Sequence, residues 1–201
     1  WFAEEGKRTF GETIPSHIPN AALGTLKEPV GIAALITPWN FPLAMITRKA
    51  AAALAAGCPV IVKPAGETPF SALALAELAE RAGIPAGIFN VVLGEPAEVS
   101  QLLCAEPRVK ALSFTGSTRV GRLLLEQSAN TVKRVSLELG GDAPFIVGPD
   151  MDPKEAAFAA VAAKFQTSGQ DCLAADRILV HESIHDDFVA HFAERMAALT
   201  V

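Results

Sequence analysis

From Gly31 onward, short and wholly apolar runs alternate with longer helical stretches, a pattern that few architectures can house. A strand that is apolar at every position has two faces to hide, so it belongs in a parallel sheet covered on both sides. Gly31–Thr37 (GIAALIT) reads as the first such strand. Leu43–Ala56 reads as a mostly apolar helix stopped by Gly57 and Pro59, and Pro59–Lys63 (PVIVK) as the second strand. A helix over Ser71–Ala82 gathers Glu77, Glu80 and Arg81 into one polar stripe. Further strands are expected at Ile88–Leu93, Val109–Phe114 and Arg134–Leu139, with helices over Ala97–Ala105 and Thr118–Ser128 between them.

After Gly140-Gly141 the pattern restarts, with strands at Pro144–Val147 and Arg177–Val180 and helices at Pro153–Thr167 and His185–Leu199. The expected class is therefore α/β: a parallel, Rossmann-like sheet over 31–139 with helices on both faces, then the start of a second α/β domain over 140–201. The double glycine serves as the hinge between them. Residues 1–30 form a small extension in which Thr13-Ile14-Pro15 and Ala22–Lys27 are two strands.

Half of the 201 residues are hydrophobic and 19% are charged, enough for a sizeable core and too apolar for disorder. A net charge of -5 gives no reason to expect nucleic acid or an anionic membrane as partner. No apolar run approaches the ~20 residues that span a bilayer. Cys58, Cys104 and Cys172 are odd in number and widely spaced, which fits reduced thiols in a cytoplasm-like compartment. The first residue is Trp1, and a helical pattern runs on to Thr200 and Val201, so the chain is expected to be an excerpt of a longer protein.

Ligands of open parallel sheets bind beyond the carboxyl ends of the strands. There the chain reads Thr37-Pro38-Trp39-Asn40, Lys63-Pro64, Gly94, Thr115-Gly116-Ser117 and Glu138. A glycine and a hydroxyl where a helix opens, as at Gly116-Ser117, suit either a phosphate or simply a capped helix. Gly116 and Gly121 mimic a P-loop, but Arg122-Leu123 stands where Lys-Ser/Thr is required, and there is no GxGxxG. Cys172 lies in a loop between a helix and a strand, where a thiol can be an activated nucleophile or an ordinary residue. Cys58 and Cys104 read as small core residues. Glu138 ends an apolar strand, so its carboxylate is expected to be salt-bridged or to act as a general base with a raised pKa. His181-Glu182-Ser183-Ile184-His185 satisfies HExxH, but His181 closes a strand and Ser183 reads as the cap of the next helix; no metal site is expected.

Together these segments resemble the aldehyde dehydrogenase superfamily along essentially the whole chain. The resemblance rests on Thr37-Pro38-Trp39-Asn40-Phe41-Pro42, Val62-Lys63-Pro64, Phe114-Thr115-Gly116-Ser117, Glu138-Leu139-Gly140-Gly141 and Gly169-Gln170-Asp171-Cys172. Within it, Met45–Lys49, Thr68–Ala79, Val132–Glu138 and Ala143–Val147 are most similar to succinate-semialdehyde dehydrogenases. The resemblance implies oxidation of an aldehyde, such as a semialdehyde, to its acid with NAD(P)+. Cys172 would be the nucleophile, Asn40 with the Cys172 backbone N–H the oxyanion donors, and Glu138 the base that activates water. Cofactor contacts are implied at Thr37, Pro38, Trp39, Lys63, Gly66, Gly116, Ser117 and Leu139. Residues 31–139 would then be the NAD(P)-binding domain and 140–201 part of the catalytic domain.

Three departures carry information. Many members have Glu where this chain has Gly66, so a 2′-phosphate meets no repelling carboxylate and NADP is expected to serve at least as well as NAD. Arg48 matches a substrate-carboxylate arginine, while Gln166 stands where a second arginine is usual. Ala174 replaces a second cysteine found in some relatives, which excludes a local disulfide. The resemblance further implies a cytoplasmic homo-dimer or homo-tetramer, with residues near 8–28 in the contact. The alternatives are a truncated, non-catalytic segment that binds cofactor or partner subunits, or a plain Rossmann-like binding module. Short-chain dehydrogenases are excluded because they require a tyrosine and the chain has none.

Overall fold

The computed structural model describes residues 1–200, which form two compact units divided after Leu139. The first unit opens with a short helix α1 (Phe2–Glu5), which the sequence reading did not anticipate, and a two-stranded antiparallel hairpin, β1 (Thr13–Ile14) with β2 (Leu23–Gly24). Strand–helix alternation then runs through β3 (Ile32–Ile36), α2 (Ala44–Ala55), β4 (Val60–Lys63), α3 (Pro69–Arg81), β5 (Phe89–Val91), α4 (Pro96–Ala105), β6 (Val109–Gly116), α5 (Thr118–Ser128) and β7 (Arg134–Leu139).

The five strands pair in parallel in the order β5-β4-β3-β6-β7. The chain winds outward from β3 to β5, then returns to the other side of β3 with β6. The resulting switch point lies between the carboxyl ends of β3 and β6, where open α/β sheets bind ligands.

The continuous apolar strands follow from two separate cores. Ala33 and Leu35 pack with Val60, Val62, Ile46, Ala50 and Ala72, whereas Ala34 points the other way, toward Leu103, Cys104, Val109, Leu112, Phe114 and Leu124. Helix α2 presents Met45, Ile46, Lys49 and Ala50 inward and ends at Gly57, whose φ of 78° is a conformation glycine adopts without strain.

Helix α3 begins at Pro69, two residues before the expected start, because the fixed φ of proline suits a first helical position. Strand β6 runs two residues past Phe114, since Thr115 and Gly116 still pair with Glu138 and Leu139. Strand β7 departs further from expectation. As the edge strand it alternates exposed and half-buried residues instead of being covered throughout.

In the second unit, β8 (Ala143–Val147) and β9 (Ala175–Val180) form a parallel pair, with α6 (Pro153–Phe165) between them in sequence and α7 (His185–Ala197) after β9. Its core joins Val147, Ala156, Ala157, Ala160 and Phe188, and the Phe188 ring stacks on Phe192 at 5.7 Å. Asp152 caps α6 by accepting the Glu155 N–H at 2.9 Å. Ser183 does not cap α7: the His181 imidazole accepts the Ser183 N–H and caps the short 3-10 turn before that helix. Among the described residues no helix is long and apolar enough to cross a membrane.

Two neighbours on α5 measure what burial contributes. Leu124 is fully enclosed, while Leu125 is 47% exposed. Leu124→Ala should cost about 2–5 kcal/mol in urea unfolding, through lost transfer energy and the cavity left behind. Leu125→Ala should cost well under half of that, and equal losses in the two variants would contradict the packing described.

Candidate active site

The segments at the carboxyl ends of β3 and β6 converge on one place. The ladder between these strands ends at the pair Ile36–Phe114, and one position further stand Thr37 and Thr115. Both threonines are buried, and among the described residues neither side-chain oxygen has a hydrogen-bond partner. Two orphaned hydroxyls are costly unless something else satisfies them.

Gly116 follows directly, and a Cβ there would stand 2.4 Å from the Phe114 ring, so a larger residue would force that ring to move. Ser117 then caps α5, its Oγ accepting the Val120 N–H at 3.4 Å. Gly121, one turn on, lets α5 lie against β7; a Cβ there would stand 2.7 Å from Leu139 Cδ2. The first turn of α5 thus begins three residues after Thr115. The turn carries Arg119 and no acidic residue, an arrangement suited to a phosphate group.

The other residues singled out from the sequence line the same unit. Pro38 is half-buried, Trp39 is exposed, and Asn40 is half-buried with its Oδ1 accepting the Phe41 N–H at 3.2 Å. Lys63 is buried at the end of β4, with Nζ donating to the Pro64 carbonyl oxygen at 3.0 Å. Gly66 lies in the following turn, exposed, and a Cβ built on it meets nothing within 4 Å.

Glu138 departs from one of the two expectations, that of a salt bridge. It is exposed and forms no salt bridge among the described residues, because β7 is an edge strand and its alternate side chains meet solvent.

On the α2 face of the sheet, β6 and β7 floor a cavity of about 470 Å³ whose lining includes Leu35, Arg48, Lys49, Ser113, Arg134 and Glu138. Arg48 is exposed, with its guanidinium 5.9 Å from the centre of the Phe2 ring. Lys49 was not singled out from the sequence. It is only 8% exposed, and its Nζ donates to Ser113 Oγ at 2.9 Å. Burial pulls its ammonium from 10.5 down to about 8, opposed by the negative charge of Glu138 and reinforced by Arg48. The signal available in the sequence was a lone cation on the inward face of an otherwise apolar helix.

In the second unit Cys172 is exposed, whereas Cys58 and Cys104 are buried, and none of the three is in a disulfide. Its Sγ lies 3.6 Å from Asp171 Oδ1, and that oxygen also accepts the Leu173 N–H at 3.1 Å. Gln166, just past α6, is exposed. His181 and His185 are engaged separately, the first with Ser183 Oγ and the second with Asp186. Among the described residues no cluster of His, Cys, Asp and Glu could hold a metal ion.

The model of the aldehyde dehydrogenase family matches residues 1–201. The chain belongs to the aldehyde dehydrogenase family. Among its relatives in that family, an aspartate-semialdehyde dehydrogenase (non-phosphorylating) of Halomonas elongata is 90% identical over all of this chain and 41% of its own length. A succinate-semialdehyde dehydrogenase [NADP(+)] of Escherichia coli is 55% identical over all of this chain and 42% of its own. The crystal structure of succinate-semialdehyde dehydrogenase from Burkholderia pseudomallei superposes with a TM-score of 0.95 at 54% identity, covering 100% of this chain and 42% of that one. The chain thus spans about two fifths of the length of these aldehyde dehydrogenases.

The Lys49 environment has a measurable signature. Between pH 8 and 10.5 the folded chain has released the Lys49 proton while the unfolded chain still holds it, so raising the pH across that window favours folding. Lys49→Met should remove this contribution and flatten the alkaline limb of Tm against pH. A variant that tracks the parent chain across the window would show that Lys49 titrates normally.

Proposed function

We propose that this chain is the dinucleotide-binding and thiol-bearing part of an NAD(P)-dependent dehydrogenase that oxidises a semialdehyde to its carboxylic acid. The observation that carries the reading is the family match over every residue, with relatives named for aspartate and succinate semialdehydes. The cofactor side draws support from the first unit: two orphaned threonine hydroxyls and a capped helix start at the switch point fit a dinucleotide. Thr37, Pro38, Trp39, Gly116, Ser117 and Leu139 would hold its pyrophosphate and nicotinamide end, and Lys63 its ribose. When bound, the nicotinamide supplies the hydride acceptor.

The chain's own residues would do the rest. Cys172 Sγ, as thiolate, adds to the aldehyde carbon. The Asn40 amide and the Cys172 backbone N–H hold the oxygen that becomes negative, a donor of this kind being worth roughly 3–4 kcal/mol. The oxidised adduct is a thioester on Cys172. Glu138 takes a proton from water, the resulting hydroxide attacks the thioester, and the acid leaves with Cys172 restored as thiolate. Arg48 would pair with the distal carboxylate of the substrate; with Gln166 in place of a second arginine, that group meets one cation and no clamp. The parent protein would be a cytoplasmic homo-dimer or homo-tetramer. The 201-residue piece, two fifths of the length of its relatives, is expected to oxidise aldehydes hardly at all by itself.

In a full-length protein carrying this segment, Cys172→Ala should abolish semialdehyde oxidation. Glu138→Gln should leave the first hydride transfer intact and stall at the thioester, seen by mass spectrometry as an acylated Cys172. An active Cys172→Ala variant would sink the mechanism.

Cofactor choice has its own test. Because Gly66 faces open space, Gly66→Glu adds charge without disturbing packing. It should lower kcat/KM for NADP relative to NAD by tenfold or more, equivalent to about 1.4 kcal/mol. An unchanged ratio would place the 2′-position of the ribose elsewhere.

A further inference from the structure

The residue before Cys172 sets a carboxylate against its sulfur. Asp171 Oδ1 lies 3.6 Å from Cys172 Sγ, and the same oxygen accepts the Leu173 N–H at 3.1 Å. That backbone bond holds the half-buried carboxylate next to the atom that would bond to an aldehyde carbon. We propose that Asp171 is a specificity-determining residue whose carboxylate pairs with an ammonium group of the substrate. The site then prefers an amino semialdehyde to the semialdehyde of the same carbon chain without the amino group; the inference rests on reading Cys172 as the nucleophile.

The charges along this part of the chain favour a cation. Between the end of α6 and the start of β9, residues 166–174 carry a single charged side chain, that of Asp171. The lysine whose stem passes the turn is Lys164, with Cε 3.7 Å from where a Gly169 Cβ would stand. Its ammonium is already engaged, 2.6 Å from Asp176 Oδ1. Asp171 is in no salt bridge among the described residues. The turn therefore meets a substrate with negative charge, which attracts an ammonium and repels a carboxylate.

The distance suits a group close to the reacting carbon. Once Sγ has added to the aldehyde carbon, an ammonium on the second carbon beyond it can reach an oxygen that stands beside the sulfur. A carboxylate on that same carbon can turn to the opposite side. Aspartate semialdehyde carries both groups there, and succinate semialdehyde carries the carboxylate alone. Discrimination is then a difference of two interactions, a charge-assisted hydrogen bond gained with one substrate and a repulsion left unrelieved with the other.

Asp171→Asn removes the charge and keeps an oxygen for the Leu173 N–H, so it tests pairing apart from the shape of the turn. In a full-length protein carrying this segment, the variant should lower the ratio of kcat/KM for aspartate semialdehyde to that for succinate semialdehyde about fivefold. Any change in the reactivity of the thiol falls on both substrates and cancels in that ratio. A ratio that stays the same, even with both rates reduced, would overturn the proposal. In the 201-residue chain Cys172 is the exposed thiol and the other two are buried, so thiol reagents report on it directly. Modification by cationic aminoethyl methanethiosulfonate, relative to its anionic sulfonatoethyl counterpart, should slow about fivefold in Asp171→Asn; an unchanged preference would overturn the pairing. Where Asp171→Asn fails to fold, Asp171→Ser, which also keeps an acceptor oxygen, decides. A full-length protein that oxidises neither semialdehyde would remove the reading of Cys172 as nucleophile, while the modification rates would still decide whether Asp171 sets the charge preference at this thiol.

Discussion

Strand β3 is packed on both faces, Ala33 and Leu35 against one set of helices and Ala34 against the other. Polar chemistry cannot sit along such a strand, because every buried polar group would need a partner that an apolar core does not offer. It is displaced to the carboxyl end, where β3 and β6 diverge into different connections. There Thr37 and Thr115 follow the paired residues Ile36 and Phe114, with hydroxyls that no described residue satisfies. The geometry of the sheet, more than any single motif, fixes where a ligand can dock in the first unit.

Much of this architecture could be read before the structure, because continuous apolar runs have few other homes. GIAALIT and PVIVK appear as β3 and β4, and the turn at Gly57 falls where a helix must stop. What escaped the sequence depended on neighbours. Strand β7 looks like a core strand in isolation, yet its place at the sheet edge exposes Glu138. Lys49 looks like one more surface lysine, yet its position on α2 beside Met45 and Ile46 buries it. The His181 cap was hidden because an imidazole acceptor is a rarer device than the serine two residues on. In each case linear spacing was right and the environment supplied by another element was not visible.

The two units provide their candidate groups by different physical means. In the first, a covered sheet and a capped helix fix backbone amides and hydroxyls with little freedom, which suits a large ligand bound the same way each time. In the second, Cys172 stands on a short turn with left-handed residues and local hydrogen bonds. A turn can bring a thiol to the surface where a strand would bury it. The contrast matches the general division between rigid scaffold and reactive loop.

The burial of the cysteines has a consequence for how the chain ages. Cys58 and Cys104 lie in the core, one in each layer beside the sheet, and Cys172 alone of the three is exposed. A folded chain with a single accessible thiol cannot form an internal disulfide by oxidation, and it cannot polymerise through disulfides either. Air oxidation therefore stops at a covalent pair joined through Cys172, and larger disulfide-linked species would report unfolding that has released the two core thiols.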